Sequence, residues 1–165
     1  RRFGNNFCLP AGPLREPTSR LNSVDFVISK ENPLRHEFKL SLIPDHFYQL
    51  IQPKIKKTLD YFHGKTLHAV AGIGNPDQFF NSLRKLNLKI IEHPFPDHYL
   101  FKPHDFSYGS DAIIIMTEKD AVKCVGFVDA RLWCLNTKTE LDTNLLNTVL
   151  KRVTTLNNNL KSSSG

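Results

Sequence analysis

The sequence is poor in cysteine: Cys8, Cys124 and Cys134 are the only three, and none stands in CxxC spacing. An odd, scattered set of thiols argues against a disulfide framework or a structural zinc site and fits a reducing cytoplasm. Long hydrophobic runs are missing too. None approaches the roughly 18–20 residues that cross a bilayer, so no transmembrane segment is predicted. The chain opens Arg1-Arg2-Phe3-Gly4-Asn5, without an initiator Met and without the basic-then-apolar order of a signal peptide. We therefore expect a piece of a longer polypeptide, with an active site divided between this piece and the rest.

Two nucleotide-binding signatures are incomplete. Gly64-Lys65-Thr66 resembles the end of a phosphate loop, but Leu59 stands where glycine is needed and the segment precedes a strand. Gly72-Ile73-Gly74 follows a strand as a dinucleotide fingerprint would. Its third glycine is replaced by Asp77, whose charge would repel a pyrophosphate. That argues against a stand-alone NAD-type enzyme.

What is present describes one ordinary domain, or a small domain with pieces of another. Hydrophobic residues make up 40% and charged residues 23%, enough for a real core. Net charge is +6 and the pI is near 9.3, favouring anionic partners: nucleotides, phosphorylated lipids, anionic membrane surfaces or nucleic acid. The densest basic cluster, Lys54, Lys56 and Lys57, reads as a solvated helix face.

Along the chain, residues 1–20 show no periodicity, and Val24–Ser29 fits a short buried strand. "EFKLSLIPDHFYQLI" alternates on both sides of Pro44-Asp45-His46, which predicts a β-hairpin. From Lys65 the rhythm becomes strand, loop, helix. "TLHAVAGIG", "LKIIEH", "DAIIIMTE" and "RLWCLNTKTEL" read as strands. "NPDQFFNSLRKLN", "KDAVKCV" and "TNLLNTVLKRVTTLNNNL" read as helices, the first with Phe79, Phe80, Leu83 and Leu86 at helical spacing. Near-continuous apolar strands alternating with helices predict an α/β fold with a mostly parallel sheet covered on both faces.

Several short motifs sit where such sheets bind ligands, at the carboxyl ends of strands. In Gly72–Asn75, the better reading is local, with Asn75 capping the following helix and Pro76 at its first position; the alternative is a loop that contacts substrate. In Thr117-Glu118-Lys119-Asp120, Thr117 and Asp120 make a variant capping box, leaving Glu118 and Lys119 for a ligand. His93, Asp97, His98 and His104 look like a metal cluster, but no pair has i,i+4 spacing and Pro94, Pro96 and Pro103 interrupt them. No metal site is predicted. "FPDHYLF" then reads as a turn shaped by Asp97, or as the seat of a general base, His98. Arg15-Glu16 lies between Pro13 and Pro17, which would hold an anion-binding Arg in one geometry with Glu16 orienting it.

Four stretches in order, "RRFGNNFCLPAGPLREP", "HAVAGIGNPDQFFNSLRKL", "FPDHYLF" and "IIIMTEKDAVKC", resemble the tetraacyldisaccharide 4'-kinase family. These are the lipid A 4'-kinases of Gram-negative bacteria, and the resemblance runs from Arg1 to about Leu135. It implies ATP- and Mg²⁺-dependent phosphorylation of the 4'-hydroxyl of a tetraacyldisaccharide 1-phosphate. It also implies a peripheral enzyme on the cytoplasmic face of the inner membrane, an anionic surface, with no nucleic acid or protein partner. The family's architecture would make 1–36 the tail of an N-terminal P-loop kinase domain and 37–59 a two-stranded linker. Residues 60–160 would be the C-terminal α/β domain, and 161–165 a disordered tail.

The family's phosphate loop, Mg²⁺-binding acids and hydroxyl-activating acid would lie upstream of Arg1. The fragment alone is therefore expected to be inactive. The family often has Asp-His-His where this chain has Asp97-His98-Tyr99. The implied catalytic residues are His98, paired with the upstream acid, and Asp97, which shapes its turn. Arg15 and Glu16 would contact the sugar or its phosphate, while Gly72, Asn75, Glu118 and Lys119 would line the cleft. The rival reading is an anion- or lipid-binding α/β module without catalysis.

Overall fold

A computed structural model describes residues 3–30 and 33–162, with side chains to 155. Its contacts define two compact units: Ile43–Lys138, and Arg1–Leu42 together with Thr139–Gly165. The boundaries fall inside two long strands, β2 (Phe38–Gln49) and β7 (Leu132–Leu141).

The 43–138 unit is built on a mixed, mostly parallel sheet in the order β2-β7-β6-β4-β5. The inner strands β4 (Thr66–Ala71), β5 (Lys89–Pro94) and β6 (Ile113–Thr117) pair in parallel, and β6 pairs in parallel with β7. The Leu50 N–H donates to the Leu132 carbonyl at 2.9 Å, joining the end of β2 to the start of β7. Those two strands therefore run antiparallel. A two-residue strand, β3 (Lys56–Lys57), returns antiparallel on Phe47 and Tyr48 of β2.

Side-chain alternation in β4 explains why both faces must be covered. Leu67, Ala69 and Ala71 point to one face, packed with Phe79, Phe80 and Leu83 of helix α1 (Pro76–Lys85) and with Phe47 and Trp133. Val70 points to the other, with Phe101, Phe106, Ile114, Met116 and Cys124. The expected two-sided cover is present. Helix α1 starts as the sequence dictates: Asn75 Oδ1 accepts the Gln78 N–H at 3.3 Å and Pro76 takes the first turn. It stops at Asn87, whose φ of 56° is the left-handed turn that ends helices.

Three expectations are corrected. The predicted hairpin about Pro44-Asp45-His46 is instead one unbroken 12-residue strand, β2, stabilised by non-local partners that local turn chemistry does not reveal. Proline survives in a strand where its missing donor faces away from the ladder. Lys56 and Lys57 belong to a strand, not a helix face, and Lys57 Nζ lies 4.3 Å from the centroid of the Tyr61 ring. The strand expected over Val24–Ser29 shrinks to β1 (Ile28–Ser29), with Val24 and Ile28 exposed.

In the other unit, β1 pairs in parallel with the start of β2. Residues 18–23 form a 3-10 turn. The Asp142 N–H donates to the Lys39 carbonyl, and Asp142 Oδ1 caps Asn144 in helix α3 (Thr143–Ser162). Lys161 and Ser162 close that helix; the rest of the tail expected at 161–165 lies outside the described residues. No helix among the described residues is long and apolar enough to cross a membrane.

Candidate functional site

Parallel pairing places the carboxyl ends of β4, β5 and β6 side by side, and with them the loops beginning at Gly72, Phe95 and Glu118. The first two loops meet directly. A Cβ placed on Gly74 would lie 3.1 Å from Asp97 Oδ2, and one on Gly72 would lie 3.1 Å from Phe101 and 3.4 Å from Tyr99 Cβ. Glycine at both positions suits this close approach of the β4–α1 loop to the 95–101 segment, since a Cβ would press its neighbours back by a few tenths of an ångström.

Within that segment the backbone turns at His98, whose φ is +61°. A left-handed conformation at a residue with a Cβ is uncommon and costs on the order of 1 kcal/mol. Asp97 stabilises it, because its Oδ1 accepts the His98 N–H at 3.0 Å. The result is an imidazole held out in water: the side chain is 92% exposed, with Nε2 3.8 Å from Asp97 Oδ2. Here the sequence left turn and general base open, and the geometry is compatible with both. Asp97 makes the turn, and the turn presents His98.

The aromatic neighbours anchor the segment. Phe95, Tyr99 and Phe101 pack mutually with ring centroids 4.8–5.3 Å apart. Tyr99 donates to Asp105 Oδ1 at 3.4 Å, and partial desolvation, then the Asp105 charge, pushes its phenol pKa up.

Two residues that sequence reasoning had not placed in the site, Asp120 and Lys123, bind the same loop. Thr117 Oγ1 accepts the Asp120 N–H, as the capping reading required. The Asp120 carboxylate, however, is fully buried and turned to Gly72, whose N–H donates to Oδ2 at 3.1 Å. Lys123 Nζ donates to Asp120 Oδ1 at 2.8 Å and to the Gly72 carbonyl at 3.0 Å. The signal was an acid and a lysine three apart after an apolar strand, read only as a helix start. Cys124, beside them, has its thiol pushed up to about 11, by burial first and then by the Asp120 charge.

The remaining candidates are engaged otherwise or exposed. Glu118 turns to β7, accepting from Asn136 Nδ2 at 2.9 Å. Lys119 is exposed at the start of the short helix α2 (Glu118–Ala121). Asn75 uses its side chain as the α1 cap. Arg15 and Glu16 belong to the other unit and are exposed, and Glu16 pairs with Arg20 at 3.4 Å. Of the histidines once grouped by sequence, His93 is withdrawn from the turn. Its Nε2 meets His68 Nδ1 at 2.9 Å, and both rings stack on Tyr108. Among the described residues, no three His, Cys, Asp or Glu side chains converge to hold a metal.

Comparison with known proteins gives a consistent picture. A family model described as tetraacyldisaccharide-1-P 4'-kinase matches residues 1–155. A tetraacyldisaccharide 4'-kinase from Coxiella burnetii is 49% identical over 136 residues, which cover 82% of this chain and 39% of the relative. One from Methylobacillus flagellatus is 43% identical, covering 94% of this chain and 47% of the relative. Among solved structures, LpxK from Aquifex aeolicus, an "apo" form in complex with ATP, superposes with a TM-score of 0.67 at 25% identity. That match covers 90% of this chain and 49% of the other. The chain thus spans less than half the length of these relatives.

Proposed function

Because this chain belongs to the tetraacyldisaccharide-1-P 4'-kinase family, we propose that it supplies the acceptor side of a lipid A 4'-kinase. The reaction is ATP-dependent phosphorylation of the 4'-hydroxyl of a tetraacyldisaccharide 1-phosphate. The observation that carries this reading is the Asp97–His98 turn: an imidazole presented to solvent at the carboxyl end of a parallel sheet. Phosphoryl transfer asks for positioning and for a group that orients or deprotonates the attacking hydroxyl. His98 takes that proton, paired with an acid outside this chain, and Asp97 stabilises the imidazolium.

Arg15 binds an anionic group of the acceptor, with Glu16 beside it. The Gly72–Asn75 loop, Glu118 and Lys119 contact the sugar. Residues 1–36 are the tail of a P-loop domain, 37–59 a linker and 60–160 the C-terminal domain.

ATP and Mg²⁺ are held mainly by the part of the enzyme outside this chain. The sequence holds no complete phosphate loop, and no carboxylate cluster converges among the described residues. The net charge of +6 suits a peripheral enzyme on the anionic cytoplasmic face of a Gram-negative inner membrane.

Radiolabelled transfer from ATP, assayed on the full-length product of the gene, tests the reading. His98→Ala lowers kcat by roughly 10²–10⁴ if His98 carries the proton; a change below about threefold, with folding intact, refutes that role. The 165-residue chain alone shows no transfer, and detectable turnover overturns the divided site. A full-length product that binds the acceptor without ever phosphorylating it favours the binding-module alternative.

A further inference from the structure

A carboxylate with no contact with water persists only when it is paired and hydrogen-bonded. Asp120 is such a group, and its partners are specific. Together, Asp120 and Lys123 engage both backbone polar groups of a single loop residue, Gly72. Thr117 Oγ1 supplies a further bond to Asp120 Oδ2 at 2.7 Å, and the Lys123 ammonium lies 5.6 Å from the centroid of the Phe101 ring. Removing the Lys123 charge leaves the buried Asp120 carboxylate uncompensated.

The effect reaches His98 by contact. Gly72 abuts Phe101 and Tyr99, and Gly74, two residues on, abuts the Asp97 carboxylate. That carboxylate in turn holds the left-handed backbone of His98. We propose that the Asp120–Lys123 pair is a positioning device: it fixes the β4–α1 loop as the seat on which the Asp97–His98 turn rests. Neither residue touches substrate. This inference rests on the catalytic reading of His98, and its structural half can be tested without it.

Lys123→Met and Gly74→Ala are the informative variants. The first removes the Lys123 bond to the Gly72 carbonyl and leaves the buried Asp120 carboxylate without its counter-charge; the second presses a methyl on Asp97 without touching the ion pair. In the 165-residue chain, amide hydrogen exchange at His98 quickens at least tenfold in both, while Ile114 and Ile115 in β6 keep their wild-type rates. Lys123→Arg, which retains the charge, restores slow exchange.

In the full-length product, kcat falls roughly 10- to 100-fold, as a misplacement near 1 Å produces. The KM for ATP stays within threefold, and Lys123→Arg recovers most of the rate. Unchanged His98 exchange and kcat in folded Lys123→Met protein would overturn the proposal. If Lys123→Met does not fold, Lys123→Gln, which keeps a polar group beside Gly72 but no charge, takes its place: normal His98 exchange and rate in that variant sink the proposal. If the exchange data hold but His98→Ala is fully active, the catalytic reading fails and the seat stands.

Discussion

The two units of this molecule differ in how much apolar surface they enclose. Among the described residues, every buried apolar side chain belongs to Ile43–Lys138, with the single exception of Leu145. The other unit leaves Phe7, Leu9, Leu34, Leu146, Leu150 and Val153 more than half exposed. A short, discontinuous piece of chain encloses little volume, whereas an alternating sheet with cover on both faces encloses a great deal. The difference teaches where the site's precision originates. The Gly72, Asp97 and Asp120 cluster stands on strands whose side chains are locked in the core, while Arg15 and Glu16 stand on a segment held by turns and surface pairs.

The most direct way to break the comparison is to open the core. Phe80, on the inner face of α1, is 1% exposed, and Phe80→Ala costs about 3–5 kcal/mol, the usual loss for a buried aromatic truncated to Ala. Urea unfolding followed by tryptophan fluorescence, with Trp133 as the internal probe, measures it. A loss below about 1 kcal/mol would mean that the core is not the close-packed interior described. Leu145→Ala costs about 2 kcal/mol, the low end for leucine, because neighbours around a lone buried side chain can collapse into the gap. A cost equal to that of Phe80→Ala would erase the asymmetry between the units.

Arg15→Ala tests the exposed unit's share in binding. The acceptor KM rises about tenfold, near 1.4 kcal/mol, with the melting temperature unmoved. An unchanged KM removes Arg15 from the site.

Much of this was legible in the sequence. Strands β4, β5, β6 and β7, the α1 cap at Asn75 and the meeting of strand ends followed from local pattern and spacing. What escaped depended on long-range partners. The twelve residues of β2 contain a proline beside an acid, which locally spells a turn. Their actual partner, β7, lies some ninety residues on. Asp120 was legible as part of a helix start, but its carboxylate bonds Gly72, 48 residues away. The exposure of His98 was equally invisible, because a positive φ is a property of the packed turn and not of the tripeptide.

The pH dependence of stability sharpens the comparison on the sheet's other side. Burial lowers the pKa of His68, and burial followed by the neighbouring His68 lowers that of His93. The folded state thus binds fewer protons than the unfolded chain, whose imidazoles titrate near about 6.5. This contribution is fully present above that pH and is lost as pH falls through the depressed folded values. Melting temperature should drop between about pH 7 and pH 5, and His68→Phe with His93→Phe should flatten that slope. An unaltered slope would place the sensitivity elsewhere.

The smallest effect belongs to the exposed face of α3. Leu146, Leu150 and Val153 follow i, i+4, i+7 spacing, so they form one stripe, with Leu150 63% exposed. Leucine and glutamine have similar helix propensities, so Leu150→Gln reports packing and little else. In the 165-residue chain it should change stability by less than about 0.5 kcal/mol, the range of surface substitutions away from special features. A loss of 2 kcal/mol in the same urea titration would mean that the stripe is covered in solution. The unit formed by residues 1–42 and 139–165 would then have a second interior, and the contrast with Ile43–Lys138 would narrow to one of size.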